Sequence, residues 1–206
     1  DLDEGVRLLT EGVHPIQSDN LGKAIGMPVG PLMVYDEVSL ELSRKAWVTW
    51  SEMGVLDNWG DGTITRNVID TMVGEHSRGG RHHGGGFYEY GEDGSKTIWP
   101  GLMDLYYDAD ASIAEDDIKD RLLFRQVIEA LKCLETGVLR SVADGNIGSI
   151  MGIGAPAWTG GLIQFVNTYG LERFSARCAE LASQYGDRFE APGIVSEKIA
   201  AGEVFA

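Results

Sequence analysis

The apolar residues of this chain recur at helical spacing almost from end to end, and no stretch alternates apolar with polar residues long enough to make a strand. Val38, Leu42, Ala46, Thr49 and Met53 follow the period up to Gly54, a C-cap residue. Ile64, Val68 and Met72 mark a shorter helix. Leu123, Val127, Leu131, Leu134 and Val138 mark a long one, closed by Gly137 or by the Asp144-Gly145 turn, and Phe174, Cys178, Leu181 and Tyr185 another before Gly186. Leu2, Val6, Leu9 and Val13 already keep the same period. The chain opens on Asp1-Leu2-Asp3-Glu4 with no initiator Met, so it reads as a piece of something longer that starts inside a helix. The fold class this dictates is all-α.

The helical pattern occurs twice. Glu4-Gly5-Val6-Arg7-Leu8-Leu9-Thr10-Glu11-Gly12-Val13 lines up with Glu129-Ala130-Leu131-Lys132-Cys133-Leu134-Glu135-Thr136-Gly137-Val138. Gly26-Met27-Pro28-Val29-Gly30-Pro31-Leu32 is answered by Gly154-Ala155-Pro156 and, after a short insertion, Gly160-Gly161-Leu162. A helix ending in Gly-Val, a Gly/Pro turn and another amphipathic helix thus recur in register, at a period too long for a solenoid. The expected organisation is a first helical domain over residues 1–97, a linker over 98–111 within a polar, turn-rich stretch, and a second domain over 112–206. Ser112-x-x-Glu115 reads as a capping box opening the second domain, with Glu115, Asp116 and Asp117 at the favourable end of the helix dipole.

With 43% hydrophobic residues over 206 positions, the chain has ample material for a core. Asp+Glu outnumber Lys+Arg by 32 to 17, a net charge of -15, which repels nucleic-acid phosphates and anionic lipid and makes both poor partners. No segment has the roughly 18 apolar residues of a membrane helix, and no basic-then-apolar signal peptide is present. Cys133 and Cys178 lie far apart within helical patterns and read as core thiols of a reducing compartment. The ending Gly-Glu-Val-Phe-Ala is not a peroxisomal Ser-Lys-Leu address, and the bacterial cytoplasm is the default location.

Familiar catalytic motifs are missing. Gly84-Gly85-Gly86 runs into Phe87-Tyr88 without Lys-Ser or Lys-Thr, and Gly152-x-Gly154 meets Pro156, so neither is a nucleotide fingerprint. His82-His83 sit in the glycine-rich loop 77–86 without a carboxylate or thiol at ligand spacing, and read as exposed loop histidines on a flexible segment rather than as metal ligands. Asp108-x-Asp110-x-Ser112 fails as a calcium loop because Ile113 and Lys119 stand where Gly and Glu belong. Asp36-Glu37 reads as a pair favouring a helix N-terminus before it reads as a general acid and base.

Two Gly/Pro turns remain, Gly26 to Pro31 and Gly154 to Gly161 with Trp158 inside. Either they are tight connections with proline near the first helical position, or they are walls of a groove where an apolar ligand approaches the backbone. On the groove reading Gly26 and Gly30 leave room, Pro28 and Pro31 stiffen the turn, and Met27 offers an adaptable contact.

The run Gly26-Met27-Pro28-Val29-Gly30-Pro31-Leu32-Met33-Val34-Tyr35-Asp36-Glu37-Val38-Ser39-Leu40 resembles the C-terminal helical domain of 3-hydroxyacyl-CoA dehydrogenases, of the 6-phosphogluconate dehydrogenase C-terminal-like class. Gly80-Arg81-His82-His83-Gly84-Gly85-Gly86-Phe87-Tyr88-Glu89-Tyr90 is similar to the segment that closes that domain, with His82 and Gly85 where the family commonly has Lys. Arg121-Leu122-Leu123, Glu135-Thr136-Gly137-Val138, Ala143-Asp144 and Ile153-Gly154-Ala155-Pro156-Ala157-Trp158-Thr159-Gly160-Gly161 resemble the second copy found in the α subunit of the multifunctional fatty-acid β-oxidation complex. The resemblance implies a parent protein with an enoyl-CoA hydratase region and an NAD-binding domain that oxidises L-3-hydroxyacyl-CoA. NAD and the His–Glu catalytic pair would lie outside this chain, leaving it no catalytic residue. It implies acyl-CoA, the missing N-terminal domains and a thiolase subunit as partners. The substrate-binding residues it points to are Gly26, Met27, Pro28, Gly30, Pro31 and Met151, the last replacing a family tyrosine. The competing expectation is a stand-alone all-α interaction module without catalysis.

Overall fold

The computed structural model describes residues 2–55 and 62–206. They form two compact units, one of residues 1–22 and 29–114, the other of 23–28 and 115–206. Helices dominate both, and among the described residues none is long and apolar enough to cross a membrane.

The first unit runs α1 (Leu2–Thr10), α2 (Pro15–Ala24, whose last two residues count with the second unit), α3 (Pro31–Val38), α4 (Leu40–Glu52) and α5 (Thr63–Asp70). A π-turn, Thr71–Glu75, extends α5. Next comes a hairpin, β1 (Tyr88–Tyr90) antiparallel to β2 (Lys96–Ile98) with Glu89 opposite Thr97, and then α6 (Pro100–Tyr106). Val6, Leu9, Leu32, Leu40, Val68, Met72, Phe87 and Leu102 build the core. Pro31 opens α3 at the position where a missing N–H costs nothing.

The helix expected from Val38 to Met53 is broken. Ser39 sits at φ 82, between α3 and α4. Its hydroxyl donates to Gly79 O (3.0 Å) and accepts from Leu42 N (3.3 Å), which offsets a conformation that is unfavourable for a residue with a side chain. The break shifts the helical phase, so Val38, Leu42 and Met53 of the anticipated stripe are exposed and Leu40 is the residue that enters the core. The hairpin adds two short strands to a class read as all-α. Residues 98–111 are not a linker: Leu102 of α6 is fully buried in the first core, and Asp108 N donates to Gly12 O (3.2 Å).

The second unit runs α7 (Glu115–Glu135), α8 (Val142–Ile153), a 3-10 turn (Ala157–Thr159), α9 (Leu162–Tyr169), α10 (Leu171–Tyr185), a second 3-10 turn and α11 (Gly193–Ala201). Phe124 stacks on Phe174 at 4.9 Å in a core shared with Val127, Ile163, Leu181 and Val195. The first helical residue of α7 is Glu115, so Ser112 lies before the helix and the capping box does not form. The acidic first turn does more than meet the dipole. Arg177 of α10 reaches Asp117 (2.5 Å) and Asp120 (2.7 Å), and the Tyr185 hydroxyl donates to Asp117 (2.6 Å), fastening α10 to α7.

The two units repeat one plan. α2, α3, α4 and α5 correspond in order to α8, α9, α10 and α11, and α3 and α9 are each 8 residues long. In the first unit Asp19 of α2 accepts the amides of Leu32 (2.8 Å) and Met33 (3.1 Å) at the start of α3. In the second, Asn146 of α8 accepts those of Ile163 (3.1 Å) and Gln164 (2.9 Å) at the start of α9. A glycine lies under each cap. A β-carbon on Gly30 would stand 2.6 Å from Asp19 Cα, and one on Gly161 would stand 2.5 Å from Asn146 Oδ1. Ser39 (φ 82) and Gly170 (φ 93) then turn the chain at matching corners. The repeat seen in the sequence is thus a repeat of structure down to individual hydrogen bonds.

Placing a methyl group against Asp19 forces α2 and α3 apart and weakens the cap. Gly30→Ala should cost about 1–3 kcal/mol, measured by urea unfolding. An unchanged midpoint would mean that the close approach carries no weight.

Candidate functional site

The second unit brings the two Gly/Pro turns into contact. The backbone carbonyl of Ile25 accepts the Trp158 indole N–H at 2.5 Å. Gly26, at φ +103, leaves space that the indole and Pro156 occupy, since a β-carbon there would stand 3.1 Å from Pro156 Cβ and from Trp158 Cδ1 and Nε1. A β-carbon on Gly154 would lie 3.2 Å from Pro28 Cγ. On the segments that meet here apolar side chains face water: Met151 is 81% exposed, Ile153 70% and Trp158 63%, with Pro28 exposed and Met27 half-buried. Exposed apolar side chains on neighbouring segments make this a candidate binding surface.

Of the residues singled out from sequence, Gly26, Met27, Pro28 and Met151 therefore belong to this unit. Gly30 and Pro31 do not. Both are buried in the first unit, Gly30 beneath the Asp19 cap and Pro31 against α1, where a β-carbon on Gly5 would meet Pro31 Cβ at 2.5 Å. What approaches the Gly30 backbone is the protein's own Asp19, so the groove reading of that half of the turn gives way to packing. Ile153 and Trp158 complete the apolar surface. The sequence displayed Trp158 inside the turn but gave no sign that its ring lies outside the core.

The loop 77–86 is fastened, not flexible. Gly80 and Gly85 exchange two backbone hydrogen bonds (3.0 and 3.1 Å), and Gly79 O accepts from Ser39 and Glu41. Arg78 donates to Gly86 O (2.6 Å) and Tyr88 O (2.9 Å) while lying over the Trp99 ring. Asp36 lies near the end of α3, not at a helix start. Fully buried, it accepts Phe87 N (2.8 Å), Tyr88 N (2.9 Å) and the Tyr90 hydroxyl (2.9 Å). Tyr88 in turn donates its hydroxyl to Asp19 (2.7 Å), and the neighbouring Glu37 pairs with Arg81 at 2.7 Å. Asp36, Asp19 and the tyrosines are thus the fastening of the hairpin, a role that nothing in their local spacing announces. Burial pushes the Asp36 carboxyl above the usual carboxylate range, against the pull of the Tyr88 and Phe87 amides, the Tyr90 hydroxyl and Arg78.

Among the described residues no group of three His, Cys, Asp or Glu is placed to hold a metal ion. His82 and His83 are exposed on a single 3-10 turn. The two cysteines are free, and burial pushes the Cys178 thiol up to about 12, an inert core group. A dinucleotide needs a glycine turn between a parallel strand and a helix, and the only strands among the described residues form the hairpin β1–β2. The described residues do not form a site that fits NAD.

Residues 2–90 match the family described as 3-hydroxyacyl-CoA dehydrogenase, C-terminal domain. The chain is also similar in fold to the dehydrogenase part of multifunctional enzyme 1 from C. elegans. The TM-score is 0.64 at 18% identity, over 95% of this chain and 44% of that one. The chain thus spans less than half the length of the solved structure it matches.

Because the folded state holds Asp36 protonated more readily than the unfolded chain does, its contribution to stability is largest below the ordinary carboxylate range. It declines as pH rises through the elevated folded value. Asp36→Asn, which turns an amide N–H₂ toward donors, should cost about 1–3 kcal/mol. The wild-type margin over it should widen from pH 7 toward pH 4 in urea unfolding. A margin that narrows on acidification would contradict the assignment.

Proposed function

We propose, starting from the match of residues 2–90 to the C-terminal domain family of 3-hydroxyacyl-CoA dehydrogenases, that the chain is the substrate-capping and association region of an NAD-dependent L-3-hydroxyacyl-CoA dehydrogenase. Fatty-acid β-oxidation in the cytoplasm is the setting this reading supplies. The dinucleotide fold, the catalytic base and a hydratase region would lie on the remainder of the protein, with a thiolase subunit as a further partner. The observation that carries the reading is the junction of the two Gly/Pro turns, on segments that carry half-buried Met27 and exposed Pro28, Met151, Ile153 and Trp158.

On this reading the chain binds and shields; it does not perform the hydride step. Met27, Met151 and Ile153 would cover the acyl portion of the substrate, remove water from the reacting end, and hold that end still against a nucleotide domain. Met27 and Met151, unbranched and polarizable, suit acyl chains of more than one length. The rigid turn beneath them, with Pro28 against Gly154 and Trp158 against Gly26, keeps the ordering cost of binding small.

Two outcomes test this. The purified 206-residue chain should produce no NADH from NAD and 3-hydroxydecanoyl-CoA, and calorimetry should show it binding decanoyl-CoA more tightly than free CoA. Met151→Asp, at an exposed position, should weaken decanoyl-CoA binding about tenfold, one acyl contact's worth, without lowering the melting temperature. NADH production, or equal affinity of wild type and variant, would overturn the proposal.

A further inference from the structure

Trp158 is at once anchored and exposed. Its indole N–H is fixed on Ile25 O at 2.5 Å, and its Cδ1–Nε1 edge lies over the bare backbone of Gly26. Phe165 meets it edge to face, with centroids 5.9 Å apart and planes at 83°. The backbone beneath is a closed 3-10 turn: Thr159 N donates to Pro156 O (3.1 Å), the Thr159 hydroxyl to the same carbonyl (2.6 Å), and Gly160 N to Ala157 O (3.1 Å). Yet 63% of the residue remains open to solvent. An indole that served only to fill the turn would bury its ring, because leaving so large an apolar face wet forfeits its hydrophobic stabilisation. Here the edge is held and most of the residue's surface is left free, and Gly26 with its positive φ is what makes room for the hold.

A flat, immobile aromatic surface is matched by another flat ring. Stacking uses the whole indole face, gains from the fixed orientation, and freezes almost no protein motion. A flexible alkyl chain has no need of a plane. We propose that the exposed indole of Trp158 is a stacking platform for the purine ring of a nucleotide-bearing ligand. Resting on the function proposed above, that ring is the adenine of acyl-CoA. Lys23, exposed, is the one basic residue of the segment 23–28 that carries Ile25 and Gly26, and Gly26 N donates to Lys23 O (2.9 Å). In a chain of net charge -15 it supplies a cation for the ligand's phosphate on the same turn.

The full 206-residue chain tests this with three probes: adenosine 5′-monophosphate (AMP), free coenzyme A, and decanoate, which has a chain but no base. The Trp158 indole N–H resonance, assigned by its loss in Trp158→Phe, should shift saturably with AMP and with coenzyme A. Trp158→Ala should weaken both about tenfold, the scale of one lost base–aromatic stack. Trp158→Phe, which keeps a ring, should stay within about threefold of wild type. Lys23→Ala should weaken AMP but not adenosine. No shift with AMP, a shift with decanoate alone, or unchanged coenzyme A affinity in Trp158→Ala would overturn the platform. If Trp158→Ala melts early, the wild-type shifts and Trp158→Phe decide. Decanoyl-CoA binding that survives Trp158→Ala would sink this inference and spare the proposed function. AMP stacking without any preference for decanoyl-CoA over CoA would do the reverse.

Discussion

Each unit hangs on one polar contact made across bare backbone. A short side chain on one helix, Asp19 or Asn146, closes two first-turn amides of the next helix, and only a glycine at position 30 or 161 lets it come close enough. The contact caps α3 and α9, satisfying donors that have no partner within their own helix, and fixes the angle at which each leaves the turn. That angle governs the elements downstream of it. The corners at Ser39 and Gly170, the placement of α4 and α10, and the burial of Leu40 and Leu171 all come after it in the chain.

The two caps differ in one informative respect. Asn146 has a single acceptor oxygen, and two amides use it. Asp19 has two, and the second also receives the Tyr88 hydroxyl from the hairpin, an element for which the second unit has no counterpart among its described residues. A buried carboxylate is costly unless its oxygens are well supplied with donors. The second acceptor oxygen at position 19 therefore goes with the hairpin, and where there is no hairpin an amide performs the capping alone. Asp36 extends the same logic: three donors from Phe87, Tyr88 and Tyr90 converge on it where no water reaches.

Helical periodicity and the duplicated Gly/Pro pattern were legible because they are local or nearly so: spacing reports a face, and Gly12 and Gly137 both have positive φ at the ends of matching helices. Less legible was anything set by partners distant in the chain. The break at Ser39 depends on Gly79, the burial of Asp36 on residues 87–90, and the packing role of Gly30 on Asp19. No window of sequence contains both members of those pairs. Residues 98–111 looked like a connection because they are polar and turn-rich, while the single buried Leu102 decides where they belong. In the candidate site, the small residues of the turn could be picked out, but whether the void at a glycine is filled by ligand or by protein is a fact of three dimensions. Gly26 is filled by Trp158 and Gly30 by Asp19.

Both copies of the cap are encoded on a single chain, and this alters what a change in the gene can do. In an assembly of identical subunits every substitution appears at each equivalent place at once, so related positions cannot drift apart. Here residue 19 and residue 146 are encoded separately. One is an acid tied to a hairpin, while the other is an amide on a helix that also carries the exposed Met151 and Ile153. Symmetry of fold with independence of sequence lets the two halves carry different side chains on one backbone plan.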